Sequence, residues 1–233
     1  MSRAAAQHVM SHIRRVLSEQ AHYTLALAGG STPRRLYELL AQESGGLPWE
    51  RVHLFWGDER FVPHDHPDSN VRLARGSLID AIDIPEENVH PIPTDGTPEE
   101  AAQAYTRTLQ SFFDAPDETF DAALLGLGSD GHTASLFPST LDTNRTGSTD
   151  EASWVRIVEA PADHDIRTRL TCSLPVLNGA GQALFLVSGR RKRKALARVL
   201  EGDSSLPATR VRPRSQLSWF VDTEAQPENL SLP

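Results

Sequence analysis

The sequence predicts an α/β protein of Rossmann-like type: a doubly wound, mainly parallel sheet with helices on both faces. Short apolar runs of strand length alternate with helical stretches along the chain. Such runs read as strands covered on both faces, which is the environment of a parallel sheet. Glycine-containing loops follow three of them, and in such a sheet the loops beyond the carboxyl ends of the strands form the ligand site. The 233 residues are long enough for a substantial core and are read as one domain, 1–233.

The elements follow in order. MSRAAAQHVMSHIRRVLSEQ carries Val9, Ile13, Val16 and Leu17 at helical spacing, as in a first helix packed on a sheet rather than a transit peptide. Tyr23–Ala28 is the first strand. GGSTP comes next, then a helix over Arg34–Gln42, with Pro33 at the first helical position, where its missing N–H has no partner to lose. Val52–Trp56 is the second strand, followed by GDERFVP and a loop rich in His, Asp and Pro. Asn70–Ile82 has helical spacing through Val71, Leu73, Leu78 and Ile82. Pro98–Phe113 reads as a helix capped by Thr97, with Glu99 and Glu100 in its first turn. Phe120–Gly126 is the third strand. Further strands are expected at Trp154–Val158, Arg169–Leu174, Ala183–Val187 and Leu217–Val221, with a helix at Arg190–Leu200. Leu141–Glu151 reads as a polar loop and the tail after Asp222 as irregular.

Composition narrows the function classes. Hydrophobic residues are 39% and charged residues 23% of the chain, ordinary for a soluble globular protein. A net charge of −8 argues against general nucleic-acid binding. The single cysteine, Cys172, has no partner for an internal disulfide, which points to a reducing, cytoplasmic setting. It lies in an apolar strand with nothing nearby to activate it, so packing is its expected role. No apolar stretch approaches the length of a membrane span. The expected partner is a small molecule, with no nucleic acid or membrane, and the expected state is a monomer or small homo-oligomer.

Three loops carry the chemistry, and the alternation of elements puts them on one edge of the sheet. AGGSTP sets Gly30, Ser31 and Thr32 at a helix start, where free N–H groups, the helix dipole and two hydroxyls suit a phosphate. A simple capped turn would have the same sequence. The GxxxxGK spacing of a nucleoside-triphosphate loop is missing. WGDERFVP sets Asp58, Glu59 and Arg60 directly after a strand, where an arginine can clamp phosphate or carboxylate in bidentate fashion. GLGSDGHTASLFP places glycines at 126, 128 and 131 around His132, the one side chain of the three loops whose type titrates near neutrality. Asp130 is placed to orient that ring or hold it charged. GRRKRKAL reads as a solvated helix face from which one lysine near the helix start can turn to the pocket. VPHDHPDSN has two histidines at i, i+2 without matched ligands, so it reads as a surface loop and no metal is expected.

In order, and over roughly Tyr23 to Phe220, the motifs LALAGGSTP, WGDERFVP…DSN, LLGLGSDGHTASLFP, RLTCSLPVLNGA and LFLVSGRRKRKAL resemble the 6-phosphogluconolactonases. Their sister branch comprises the isomerases of glucosamine 6-phosphate, which share DGH but continue into an Asn-Glu-Pro region absent here. The resemblance implies hydrolysis of 6-phospho-D-glucono-1,5-lactone in the oxidative pentose phosphate pathway, without metal or organic cofactor. It implies His132 as the catalytic histidine, and the chemistry of lactone hydrolysis then assigns Asp130 or Asp58 to stabilise its charged form. It also implies Gly30, Ser31 and Thr32 as the phosphate loop, with Arg60, Arg169 and Lys192 on the substrate.

Three departures from the family pattern stand out. A strand usually precedes the first helix, and here an edge strand is expected to be missing. ADHDIRT replaces the paired prolines before the family arginine, which leaves Arg167 as an alternative to Arg169. Arg193 and Lys194 crowd the lysine position, so Lys192 is assigned by the G-x-x-K spacing. Two other functions remain open: an aldose–ketose isomerase and deaminase with Asp58 as base, and a non-catalytic sugar-phosphate sensor.

Overall fold

The computed structural model describes residues 1–140 and 153–227. The polar segment at 141–151 lies outside the described residues. Along the chain run α1 (Ser2–Leu17), β1 (Tyr23–Leu27), α2 (Ser31–Glu43), β2 (Val52–Trp56), β3 (Asp58–Arg60), α3 (Asn70–Ser77), β4 (Val89–His90) and α4 (Pro98–Phe112). There follow β5 (Ala122–Gly126), β6 (Val155–Glu159), β7 (Thr168–Cys172), α5 (Leu174–Asn178), β8 (Gln182–Val187), α6 (Arg193–Leu200) and β9 (Gln216–Val221).

The main sheet has the order β4-β2-β1-β5-β8-β9, and every pairing in it is parallel. The chain moves outward from β1 to β4, then returns to the far side of β1 through β5. That reversal makes a topological switch point between β1 and β5, the place where loops leaving neighbouring strands part and a crevice opens. All six residues of β8 are buried, as are four of five in β1 and in β5, so this sheet is covered on both faces. Helix α1 turns Ala5, Val9 and Ile13 into the core and packs on α2, β8 and β9.

Two buried tyrosines fix the ends of the strands that lead to the crevice. The Tyr37 hydroxyl donates to the Ala28 carbonyl at 2.7 Å and accepts from its N–H at 2.9 Å. Tyr105 does the same for Trp56, with both bonds at 2.9 Å. Each hydroxyl thus supplies both backbone partners of a residue at the end of a strand.

The structure departs from expectation in several places, among them two unexpected elements, β4 and α5, the latter beginning at Leu174, which was expected to end a strand. The strands expected around Trp154–Val158 and Arg169–Leu174 leave the main sheet and form a second, antiparallel sheet of order β3-β7-β6. Asp58–Arg60, expected as loop, is the third strand of that sheet. It contains no apolar residue, so hydrophobic patterning could not reveal it. Helix α2 begins at Ser31, and Pro33 is therefore its third residue rather than its first. Helix α3 ends at Ser77, and a separate 3₁₀ turn over Ile79–Ala81 replaces the last turn expected to Ile82. Thr97 and Glu100 form the expected cap of α4 as a reciprocal capping box.

Candidate active site

A cleft of about 250 Å³ opens at the switch point and draws on all three strand-end loops. Its first wall is the β1–α2 turn. Gly30 caps α2 with φ of 92°, a conformation that favours glycine, and no side chain caps the helix. The first-turn N–H groups therefore face the cleft with the positive end of the helix dipole. Gly29 is required for space: a Cβ there would lie 1.8 Å from the Asn70 Oδ1.

The second wall is β3. Asp58 is buried and accepts from Ser135 Oγ at 2.6 Å and, more weakly, from Asn70 Nδ2 at 3.4 Å. Glu59 is fully buried and points the other way, into the start of α3. Its carboxylate accepts from the N–H groups of Arg60, Asn70 and Val71 and from Ser69 Oγ. Burial raises its pKa, and those four hydrogen bonds work against that rise. Arg60 donates to the Asp68 carbonyl, and its Nε is buried without a partner among the described residues.

The third wall carries His132. Its Nδ1–H donates to Asp130 Oδ1 at 2.6 Å, and its backbone N–H donates to the same oxygen at 3.2 Å. Burial opposes ionisation of Asp130, but the bonds and charge of His132 outweigh it and hold the carboxyl down at about 2. Among the described residues Nε2 of His132 has no hydrogen-bond partner. Gly128 is the floor beneath this pair, because a Cβ there would fall 2.2 Å from His132 Nδ1 and 2.5 Å from Asp130 Oδ1. Gly131 turns the loop at φ of 88°.

Two further cations complete the cleft. Arg169 is 7% exposed and lies directly across the β3–β7 ladder from Arg60. Like charges in that position repel, and neither arginine has a carboxylate partner among the described residues. Burial and the Arg60 charge lower the Arg169 pKa, against the pull of Asp58, Glu59 and Asp68. Lys192 lies between Gly189 and α6, half-buried at the cleft, and burial lowers its pKa while Asp130 pulls it up.

Of the residues expected from sequence, His132, Asp58, Gly30, Ser31, Thr32, Arg60, Arg169 and Lys192 all line this cleft, and Asp130 supports it through His132. Between the two arginines, Arg169 faces the cleft and Arg167 does not: Arg167 turns to the Ala160 carbonyl and Glu159. Between the two acids, Asp130 holds the imidazole, while the bonds of Asp58 go to Ser135 and Asn70. Sequence reading assigned no role to Asn70, Ser135 or His164; the only signal was that each sits within or beside a motif already singled out. Cys172 is buried, with its thiol pKa raised by burial, as packing predicts. Among the described residues no cluster of three His, Cys, Asp or Glu side chains is arranged to hold a metal ion, and no helix is long and apolar enough to cross a membrane.

Residues 1–219 match the family model described as glucosamine-6-phosphate isomerases/6-phosphogluconolactonase. The chain belongs to that family. A 6-phosphogluconolactonase of Synechocystis is 42% identical over 229 residues, covering 95% of this chain and 90% of the relative. One from Thermotoga maritima is 36% identical over 215 residues, covering 92% of this chain and 91% of its own. A solved structure of a Thermotoga maritima 6-phosphogluconolactonase superposes with a TM-score of 0.83 at 33% identity, over 94% of each chain. A monomeric glucosamine-6-phosphate deaminase has a TM-score of 0.77 at 22% identity, over 96% of this chain and 93% of its own, and shares the fold alone.

Proposed function

We propose that this family member hydrolyses 6-phospho-D-glucono-1,5-lactone to 6-phospho-D-gluconate, the lactonase step of the oxidative pentose phosphate pathway, with residues 1–233 acting as one domain. The observation that carries the mechanism is the His132–Asp130 pair, whose free Nε2 stands at a cleft shared by a helix start and three cations.

The neutral ring of His132 takes a proton at Nε2 from a water as that water attacks C1 of the lactone. Asp130, already accepting from Nδ1–H, stabilises the imidazolium that forms. The tetrahedral intermediate then breaks its C1–O5 bond, and the proton on Nε2 passes to O5. The phosphate lies at the other end of the substrate. Ser31, Thr32, Arg60, Arg169 and Lys192 grip it, with Gly30 opening the helix start to it, and that binding energy fixes C1 beside His132. No cofactor enters this scheme, and a cytoplasmic monomer or small homo-oligomer meeting a freely diffusing sugar phosphate suits it.

The sister chemistry, aldose–ketose isomerisation, needs a free carboxylate at C2, and Asp58 is engaged by Ser135 and Asn70. The test is a lactonase assay corrected for spontaneous opening, run beside glucosamine 6-phosphate with detection of ammonia. Lactone turnover is expected, without ammonia release. His132→Ala is expected to stay folded and to lose about 100- to 10,000-fold in kcat. A variant as fast as the parent removes His132 from the mechanism.

A further inference from the structure

His164 lies in ADHDIRT, the segment that leads into β7, and nothing so far gives it a task. The Arg169 guanidinium has two hydrogen-bond partners among the described residues, both from the turn just before β7. Nε donates to the Ile166 carbonyl at 2.9 Å, and Nη2 lies 3.3 Å from His164 Nδ1. An arginine nitrogen only donates, so Nδ1 is the acceptor and a proton of the neutral ring sits on Nε2. Burial, Arg169 and His132 lower the pKa of His164 against the pull of Asp163 and Asp130, which favours that neutral acceptor. The same ring meets Phe137 edge-on with centroids 5.3 Å apart and His132 edge-on at 6.1 Å, and Phe137 packs on His132 with centroids 4.6 Å apart.

Arg169 needs such a tether. It stands opposite Arg60 on the ladder with no carboxylate in ion-pair contact among the described residues. The charges of Asp58, Glu59 and Asp68 act on it from farther off, so its direction is set by the hydrogen bonds to His164 and the Ile166 carbonyl. We infer that His164 is a positioning residue, holding Arg169 in the cleft so that the phosphate of the substrate meets a cation already oriented. The inference rests on the reading of Arg169 as a phosphate contact.

Wild-type turnover and calorimetric affinity for 6-phosphogluconate come first: absence of both overturns the functional reading and this inference together. With either present, His164 is tested separately. His164→Ala is expected to raise KM for the phosphorylated lactone, or Kd for the product, about three- to tenfold, with kcat changed less than twofold. His164→Asn is expected to restore most of the loss, because its Oδ1 occupies the place of Nδ1 as acceptor. In an Arg169→Ala background, His164→Ala is expected to add less than twofold, since the two act through one contact. The inference fails if His164→Ala leaves KM and Kd unchanged, if Asn behaves like Ala, or if the penalty persists without Arg169. A loss of kcat at constant KM also defeats it. The side chain is half-exposed, and an unchanged melting temperature verifies folding of each variant.

Discussion

Gly128 shows how the candidate site depends on a side chain that is absent. Its value is space, since His132 and Asp130 occupy the volume a Cβ would take. Gly128→Ala is expected to fold, to displace the imidazole–carboxylate pair, and to lower kcat at least tenfold in the lactonase assay. Unchanged kcat would mean the loop relaxes without disturbing the pair. The glycine cluster itself was legible as a sharp turn at a strand end, and so was the place of His132 at the cleft. Which glycine answers to sterics and which to a left-handed φ was not, because the crowding atoms come from His132 and Asp130 at Gly128 and from the distant Leu206 at Gly131, which also has a left-handed φ. The assignment of Asp58 was ambiguous for a similar reason. Its Ser135 partner lies 77 residues along the chain.

At the scale of elements, β3 divides its acids between two tasks. Asp58 faces the cleft, and Glu59 closes the start of α3 by accepting from the Asn70 and Val71 N–H groups and the Ser69 hydroxyl, besides the N–H of Arg60 in its own strand. Glu59→Ala leaves those donors without an acceptor in a buried place. We expect a loss of stability on the order of 3 kcal/mol, read from urea unfolding. A loss below about 1 kcal/mol would mean that water replaces the carboxylate. The strand was illegible because its three residues are all charged, and the helix start was visible only from Asn70 onward. The choice between Arg167 and Arg169 could not be made from spacing either. Residues two apart in a strand share a face, and the two are separated only because β7 begins at Thr168 and pairs Arg169 with Arg60.

For the molecule as a whole, the alternation of apolar runs and helices made the parallel sheet legible, and the three glycine loops located its functional edge. The second sheet was not foreseen, because β6 and β7 look like any other apolar strands until their antiparallel partners are known. Acid stability is also a property of the whole. His12, bonded to the Tyr23 hydroxyl at 2.7 Å, and His90, 3.1 Å from His53, both have pKa values lowered to about 4, chiefly by burial. Unfolding returns each toward 6.5. The neutral forms therefore stabilise the fold above pH 6.5, and that contribution is lost as pH falls from 6.5 toward 4. The melting temperature is expected to drop between pH 7 and pH 5, and a flat profile would contradict the burial of these rings.

The guanidinium groups of Arg60 and Arg169 stand opposite each other across the β3–β7 ladder, with Asp58, Glu59 and Asp68 close enough to offset part of their repulsion. On the proposed placement of the substrate phosphate beside these two arginines, an anion bound there would couple product binding to heat resistance. Saturation at a hundred times Kd adds about 2.7 kcal/mol to the folded state. The melting temperature is expected to climb with added 6-phosphogluconate, and to climb less in Arg169→Ala.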